Sequence, residues 1–238
     1  MLRNRLLSVL PPEEFDVLKP HLEPVSFVRG DMLYQAGDRI RHVYFPNTGM
    51  VSLLSVTEQG QTVEVGFTGC EGLVGLPLFL GRDEMAYQAL VQVAADAYRV
   101  EAAAVLKLFK QCGLFHDAAL RFGYVVLKQI SQTCVCNHFH TIEARLCRWL
   151  TVMVERAGSQ QLSLTQEFLA HMLGVQRTSV GLIATNLQNR GVIRYRRGKI
   201  EIVDLDRLRE SACECYFSVR DEYEKFLKDK NFPTRSGK

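Results

Sequence analysis

The stretch from Leu164 to Leu187 constrains the chain more than any other, because helical apolar spacing occurs there twice with a glycine between. Phe168, Leu169, Met172 and Leu173 form one short stripe. It follows Thr165, a residue type that caps a helix by accepting from an orphan backbone amide. Gly174 ends that stripe. Val180, Ile183, Ala184 and Leu187 form the next, leaving Gln176, Arg177, Thr178 and Leu182 at its front end and outer face. Two short helices joined by a tight turn make a helix-turn-helix. Arg177 can donate two parallel hydrogen bonds to a guanine edge, and Gln176 can pair with adenine, if the second helix enters a major groove amino end first. Gln176 and Arg177 are therefore the expected base readers, with Thr165, Thr178 and Ser179 suited to phosphate.

A helical hairpin also occurs in ordinary domains, so the following segment carries weight. Arg190 to Val203 reads as strand, glycine-containing turn, strand, which is a wing. Between Gln160 and Lys199 six basic residues face the single acid Glu167, a net +5, whereas the whole chain is only +3. Positive charge is thus concentrated where phosphates would lie, and Arg196, Arg197 and Lys199 are expected on the DNA backbone.

A chain of 238 residues can bury a sizeable core, and a hydrophobic share of 47% with 23% charged is that of a folded globular protein. No run approaches the ~18 apolar residues of a membrane span, and the amino end is too short in apolar residues for a signal peptide, so a cytoplasmic protein without a membrane partner is expected. Seven scattered cysteines fit reduced thiols better than a secreted disulfide framework.

In chain order, Pro12 to Leu22 predicts a short amphipathic helix. Val25 to about Val100 holds short Val-, Phe-, Tyr- and Leu-rich runs between glycine turns, the signature of a jelly roll, with a hairpin around Glu58-Gln59-Gly60. A long helix then runs from Phe115 to roughly His138. On it Leu120, Tyr124, Leu127, Ser131, Cys134 and His138 repeat at alternating four- and three-residue spacing, a seam for a second copy of the helix or for the chain's own β-domain. Thr141 to Ala157 predicts a helix packed through Ile142, Leu146, Trp149, Leu150 and Met153. Leu205 to Lys228 predicts one final helix. The fold class is α+β, with a sensor domain over 1–114, a dimerisation helix and hinge over 115–140, and a winged helix-turn-helix domain over 141–238.

This order of parts resembles the Crp/Fnr family of bacterial transcription regulators over nearly the whole chain. The matching residues are Gly30-Asp31, Ala36-Gly37-Asp38, the Gly69-Cys70-Glu71-Gly72-Leu73-Val74-Gly75 turn, Ile142-Glu143-Ala144-Arg145-Leu146, and Leu164 through Leu187. The resemblance implies a cyclic-nucleotide-binding-like jelly roll, a homodimer across the long helix, double-stranded DNA with a palindromic operator, and RNA polymerase as a partner. It puts Arg177 and Thr178 at positions that commonly meet bases, Ser179 at a backbone-contacting one, Leu182 where many relatives place a base-reading arginine, and an effector pocket at Leu73, Val74, Tyr87 and Gln88. Nucleotide-binding relatives end this cassette in Arg-Ser-Ala or Arg-Thr-Ala, and hold the ribose with an upstream glutamate. Here Tyr87-Gln88-Ala89 brings no cation for a phosphate, so cyclic AMP is not expected. An iron–sulfur cluster is not expected either, because the cysteines that such relatives carry before the sandwich are missing and the first cysteine is Cys70. His21 and His42 are the histidines to weigh as haem ligands, against ordinary surface histidines.

Cys134, Cys136, His138 and His140 look like a ligand set, yet residues two apart on a helix point about 200° away from each other and cannot converge. Cys134 and His138, at i and i+4 on the seam, could meet their copies across a dimer and suit zinc or an intersubunit disulfide. The alternative is a small buried thiol and a helix-end histidine, and no metal ligand is assigned. No Walker loop, HExxH pattern or nucleophile–base constellation points to catalysis. A DNA-binding regulator stands against one other reading, a cyclic-nucleotide-binding-like module whose carboxyl-terminal part recognises protein.

Overall fold

In the computed structural model, residues 2–228 are described, and the chain packs as two units. The first unit comprises Met1–Leu53, Gly66–Lys128 and the chain from Arg220; the second comprises Leu54–Val65 and Gln129–Val219.

The first unit opens with α1 (Arg5–Ser8), capped by the side chain of Asn4. Asn4 is fully buried and also donates its amide to the carbonyls of Pro46 and Gly72, tying the amino end to two places far along the chain. The next helix, α2 (Pro12–Leu18), is shorter than the Pro12–Leu22 expectation. Beyond it Lys19–His21 tightens into a 3-10 turn, where Pro20 has no N–H to extend the α-helical ladder. Then come β1 (Glu23–Phe27), β2 (Met32–Tyr34), β3 (His42–Pro46), β4 (Met50–Val56), β5 (Thr62–Thr68), β6 (Gln88–Val93) and β7 (Ala95–Glu101). They form two sheets, β1-β7-β3 and β2-β6-β4-β5. Val43, Phe45, Met50, Val51, Val91 and Val100 are buried in the core of this unit. The tip of the β4–β5 hairpin belongs to the second unit.

Two helices follow, α3 (Ala102–Phe109) and the long α4 (Leu114–Phe139). Phe115, Ala118, Ala119, Phe122, Val125 and Val126 of α4 are buried. The Phe122 ring lies against Gly72, where any β-carbon would fall 2.1 Å from it, so only glycine admits the ring. The amino end of α4 is capped from a distance: the Glu14 carboxylate accepts from the amides of Leu114 at 2.6 Å and Phe115 at 2.7 Å. A carboxylate there satisfies two orphan donors and faces the positive end of the helix dipole.

The second unit holds α5 (Ile142–Ala157), β8 (Gln161–Ser163), α6 (Gln166–Leu173), α7 (Arg177–Asn189), β9 (Ile193–Arg196), β10 (Lys199–Ile202) and α8 (Leu205–Glu210). The chain then enters α9 (Cys215–Lys228), which runs on into the first unit. The short sheet has the order β8-β10-β9, and β8 is a strand with no counterpart in the sequence reading. The single final helix expected from Leu205 to Lys228 is broken between Glu210 and Cys215. A continuous helix would aim Cys213 and Cys215 about 200° apart; the break lets both be buried. Among the described residues no helix is long and apolar enough to cross a membrane.

Replacing Glu14 by alanine should lower stability by about 1–2 kcal/mol, because it uncaps α4. Glu14→Gln, which keeps one acceptor oxygen, should lose about half as much. Urea denaturation followed by circular dichroism reads both, and an unchanged midpoint for Glu14→Ala would remove the capping role.

Candidate nucleic-acid interface

Local chemistry sets the reading head. The Thr165 hydroxyl caps α6 by accepting from the Phe168 amide at 3.1 Å, and Gly174 ends the helix in the left-handed conformation at φ 61°. Gln176 is the residue before the first turn of α7. Val180, Ala184 and Leu187 of α7 are buried, as are Leu169, Met172 and Leu173 of α6. The opposite face stays open. Gln176, Arg177 and Thr178 are exposed at the amino end of α7, Ser179 is half-buried, and Leu182 keeps 75% of its surface.

The wing is held against this helix rather than left to move by itself. The Tyr195 amide donates to the Gln188 side chain at 2.8 Å, and its hydroxyl donates to the Leu164 carbonyl at 3.1 Å. The Leu164 amide in turn donates to the Gly198 carbonyl at 2.7 Å. Between β9 and β10 the turn residues are Arg197 at φ 50° and Gly198 at φ 75°, two positive values that define the tight hairpin turn favoured by twisted strands. Glycine or asparagine fits such a position more comfortably than arginine does. An arginine there costs conformational energy and brings charge to the wing tip.

Ion pairing divides the basic residues into two sets. Arg190 is paired with Glu143 at 2.5 Å, and Arg194 with Glu201 at 2.6 Å. Glu143 also accepts from Asn186, which fastens α7 to the start of α5. Arg177, Arg196, Arg197 and Lys199 are exposed and make no ion pair among the described residues. Thr165, Gln166, Arg177, Tyr195 and Arg197 line one open recess between helix and wing. The four uncompensated cations thus lie at the amino end of α7 and along the wing.

Behind the reading head, Arg145 is buried and its guanidinium donates to the Leu173 carbonyl at the end of α6. Trp149 is buried too, and its indole N–H donates at 3.1 Å to the buried carboxylate of Glu64 on β5. Sequence periodicity placed Trp149 in a core but could not supply this polar partner, which lies 85 residues away.

The other residues singled out from sequence fall as follows. Leu120, Tyr124, Leu127, Ser131 and Cys134 are all exposed, on the outer side of α4. Leu73 and Val74 are buried, Tyr87 is half-buried with its phenol pushed up to about 12 by burial, and Gln88 donates to the Gln35 side chain at 2.7 Å. The Glu71 carboxylate is buried and accepts from the Gly69 amide of its own turn. His21 is exposed, and His42 is half-buried beside the Tyr44 ring. Cys134 and His138 both face solvent. The other i, i+4 pair, Cys136 and His140, faces inward and meets Cys213 and Cys215. The Cys-x-Cys spacing at 134/136 and at 213/215 is the signal that the sequence offers for this meeting.

Residues 144–211 match the family model of the Crp-like helix-turn-helix domain, and residues 24–112 match that of the cyclic nucleotide-binding domain. No curated protein matches the chain by sequence. Among solved structures, a transcriptional regulator of the Crp/Fnr family from Eubacterium rectale superposes with a TM-score of 0.73 at 15% identity, over 87% of this chain and 96% of its own. FixK2 from Bradyrhizobium japonicum gives 0.66 at 15% identity, over 81% and 98%. CLP from Xanthomonas campestris, described as a c-di-GMP responsive global regulator, gives 0.64 at 17% identity, over 81% and 99%. At these identities the likeness concerns the fold.

Trp149→Phe removes the donor to Glu64 and should destabilise the second unit by about 1–3 kcal/mol, the cost of a buried acceptor left short of a partner. Adding Glu64→Leu should restore part of that loss. Denaturation followed by circular dichroism tests the pair, and additive losses in the double variant would contradict the coupling.

Proposed function

The chain belongs to the Crp/Fnr family of transcription regulators, and on that premise we propose that it binds a palindromic operator as a homodimer. The observation that carries this reading is the set of exposed, unpaired cations and amides at one end of α7 and along the wing. Arg177, with Gln176 and Thr178, reads base edges. Thr165, Ser179, Arg196, Arg197 and Lys199 hold phosphates and set the register.

Dimerisation is supported by the outer side of α4. Leu120, Tyr124 and Leu127 keep 40%, 59% and 61% of their surface in one chain, and Ser131 and Cys134 continue the row. Exposed apolar rows of this kind mark interfaces. Two copies joined there present two α7 helices, and a palindrome mirrors that symmetry with half-sites one helical turn apart. RNA polymerase is the further partner that family membership brings to this reading.

Cyclic AMP is not the controlling ligand in this proposal. Tyr87 and Gln88 stand where a phosphate would need a cation, and Gln88 is engaged with Gln35. The buried carboxylate of Glu71 is turned onto its own backbone.

Selection of bound DNA from a random pool tests the main reading, with a two-fold symmetric site as the expected outcome. Against that site Arg177→Ala should lose roughly 1–3 kcal/mol and relax one base position. Equal loss on unrelated DNA would contradict base reading. Arg197→Gly should weaken all sequences alike and lower the salt slope by about 1, while leaving stability unchanged or higher. For the sensor, calorimetry with cyclic AMP should give no saturable heat at concentrations on the order of micromolar, and binding in that range would overturn this part.

A further inference from the structure

Four potential ligands meet inside the second unit, away from the DNA-facing surface. Cys136 lies in the last turns of α4, and His140 follows directly after that helix. Cys213 sits in the break after α8, and Cys215 opens α9. The Sγ atoms of Cys136 and Cys213 are 3.5 Å apart, and Cys215 Sγ is 3.4 Å from His140 Nδ1. All four ligand atoms lie within 4.8 Å of one another. A tetrahedral zinc ion, with bonds of about 2.3 Å to sulfur and 2.0–2.1 Å to nitrogen, separates its ligand atoms by about 3.6–3.8 Å. The four atoms therefore need to shift only slightly to share one ion. An iron–sulfur cluster spreads its thiolates over separate irons and wants them further apart.

The surroundings carry the features of a metal site. His140 turns Nδ1 to the sulfurs while Nε2 lies 3.0 Å from a Glu214 carboxylate oxygen, the outer hydrogen bond that orients a metal-binding imidazole. Gln132 donates to Cys215 Sγ at 3.0 Å and is itself held by the Ser218 hydroxyl at 3.2 Å. The three cysteines are buried together, with Ala144 packed on them. Three thiolates and a neutral imidazole around a divalent ion leave one negative charge. The Arg148 guanidinium acts on these sulfurs and offsets it. Zinc takes cysteine as the thiolate, so each of the three thiols gives up its proton on binding.

We propose that Cys136, His140, Cys213 and Cys215 form a closed, mononuclear site for a thiophilic divalent cation, zinc by preference, which pins the end of α4 to the start of α9. Thiolate-rich donor sets exclude magnesium and calcium, and four protein ligands leave no open position for substrate, so the site is structural.

The test uses the full chain, purified with a thiol reductant and without chelator. Plasma mass spectrometry should find about one zinc per chain. After removal of the metal, cobalt(II) titration should saturate at about one equivalent, with tetrahedral d–d bands and sulfur-to-cobalt charge transfer. Cys136→Ser and Cys213→Ser should lose most of that uptake, while Cys112→Ser and Cys134→Ser keep it. Should the serine variants fail to fold, His140→Cys keeps a full ligand set and should raise the charge-transfer absorption per cobalt by about a third, since four thiolates replace three. Absence of stoichiometric uptake by the reduced protein, an iron–sulfur chromophore, or uptake by Cys213→Ser equal to the parent would each overturn the proposal.

Discussion

Helix α4 carries apolar side chains on opposed sides, and one chain buries only one of them. Inward, Phe115, Phe122, Val125 and Val126 are covered. Outward, Leu120, Tyr124, Leu127, Val135 and Phe139 keep between 40% and 74% of their surface. Full burial of a side chain of this size contributes about 1.5–3 kcal/mol, so a row of such residues left in water is a large unrealised stabilisation. The proposed dimer recovers it. The same helix is capped by Glu14 at one end and reaches the thiol cluster at the other. Its position therefore depends on contacts at both ends as well as along its length.

Much of the second unit was legible because local rules coincide there. Thr165 caps, Gly174 stops, and the apolar stripes of α6 and α7 leave Arg177 and Leu182 outside, as spacing alone requires. The wing followed from its glycine and alternation. What the sequence did not disclose depends on residues far apart in the chain. The Trp149–Glu64 hydrogen bond joins a helix to a hairpin strand, and no period predicts it. The break between α8 and α9 was hidden because a continuous helix through Leu205–Lys228 has an acceptable charge pattern of its own. The burial of Cys213 together with Cys215 decides against it.

The cysteines show the same limit at a single site. Helical geometry correctly divides Cys134 and His138 from Cys136 and His140 onto different faces. Periodicity says which residues share a face, and it cannot say what lies opposite. The seam drew attention to the outward pair, whereas the inward pair has the partners: Cys213 and Cys215 arrive from 77 and 79 positions further along than Cys136.

That separation has a consequence for the reading head as a folding unit. Cys136 and Cys213 bracket everything from α5 to α8, so a bond through a shared ion would turn the whole DNA-facing fold into a closed ring of chain. Closing a ring of this length removes conformational freedom chiefly from the unfolded chain, and in the chain-entropy picture the effect grows slowly with ring size. The clamp would lie at the neck of the ring, remote in sequence from α7, and it would stabilise the helix-turn-helix without touching the exposed face of α7.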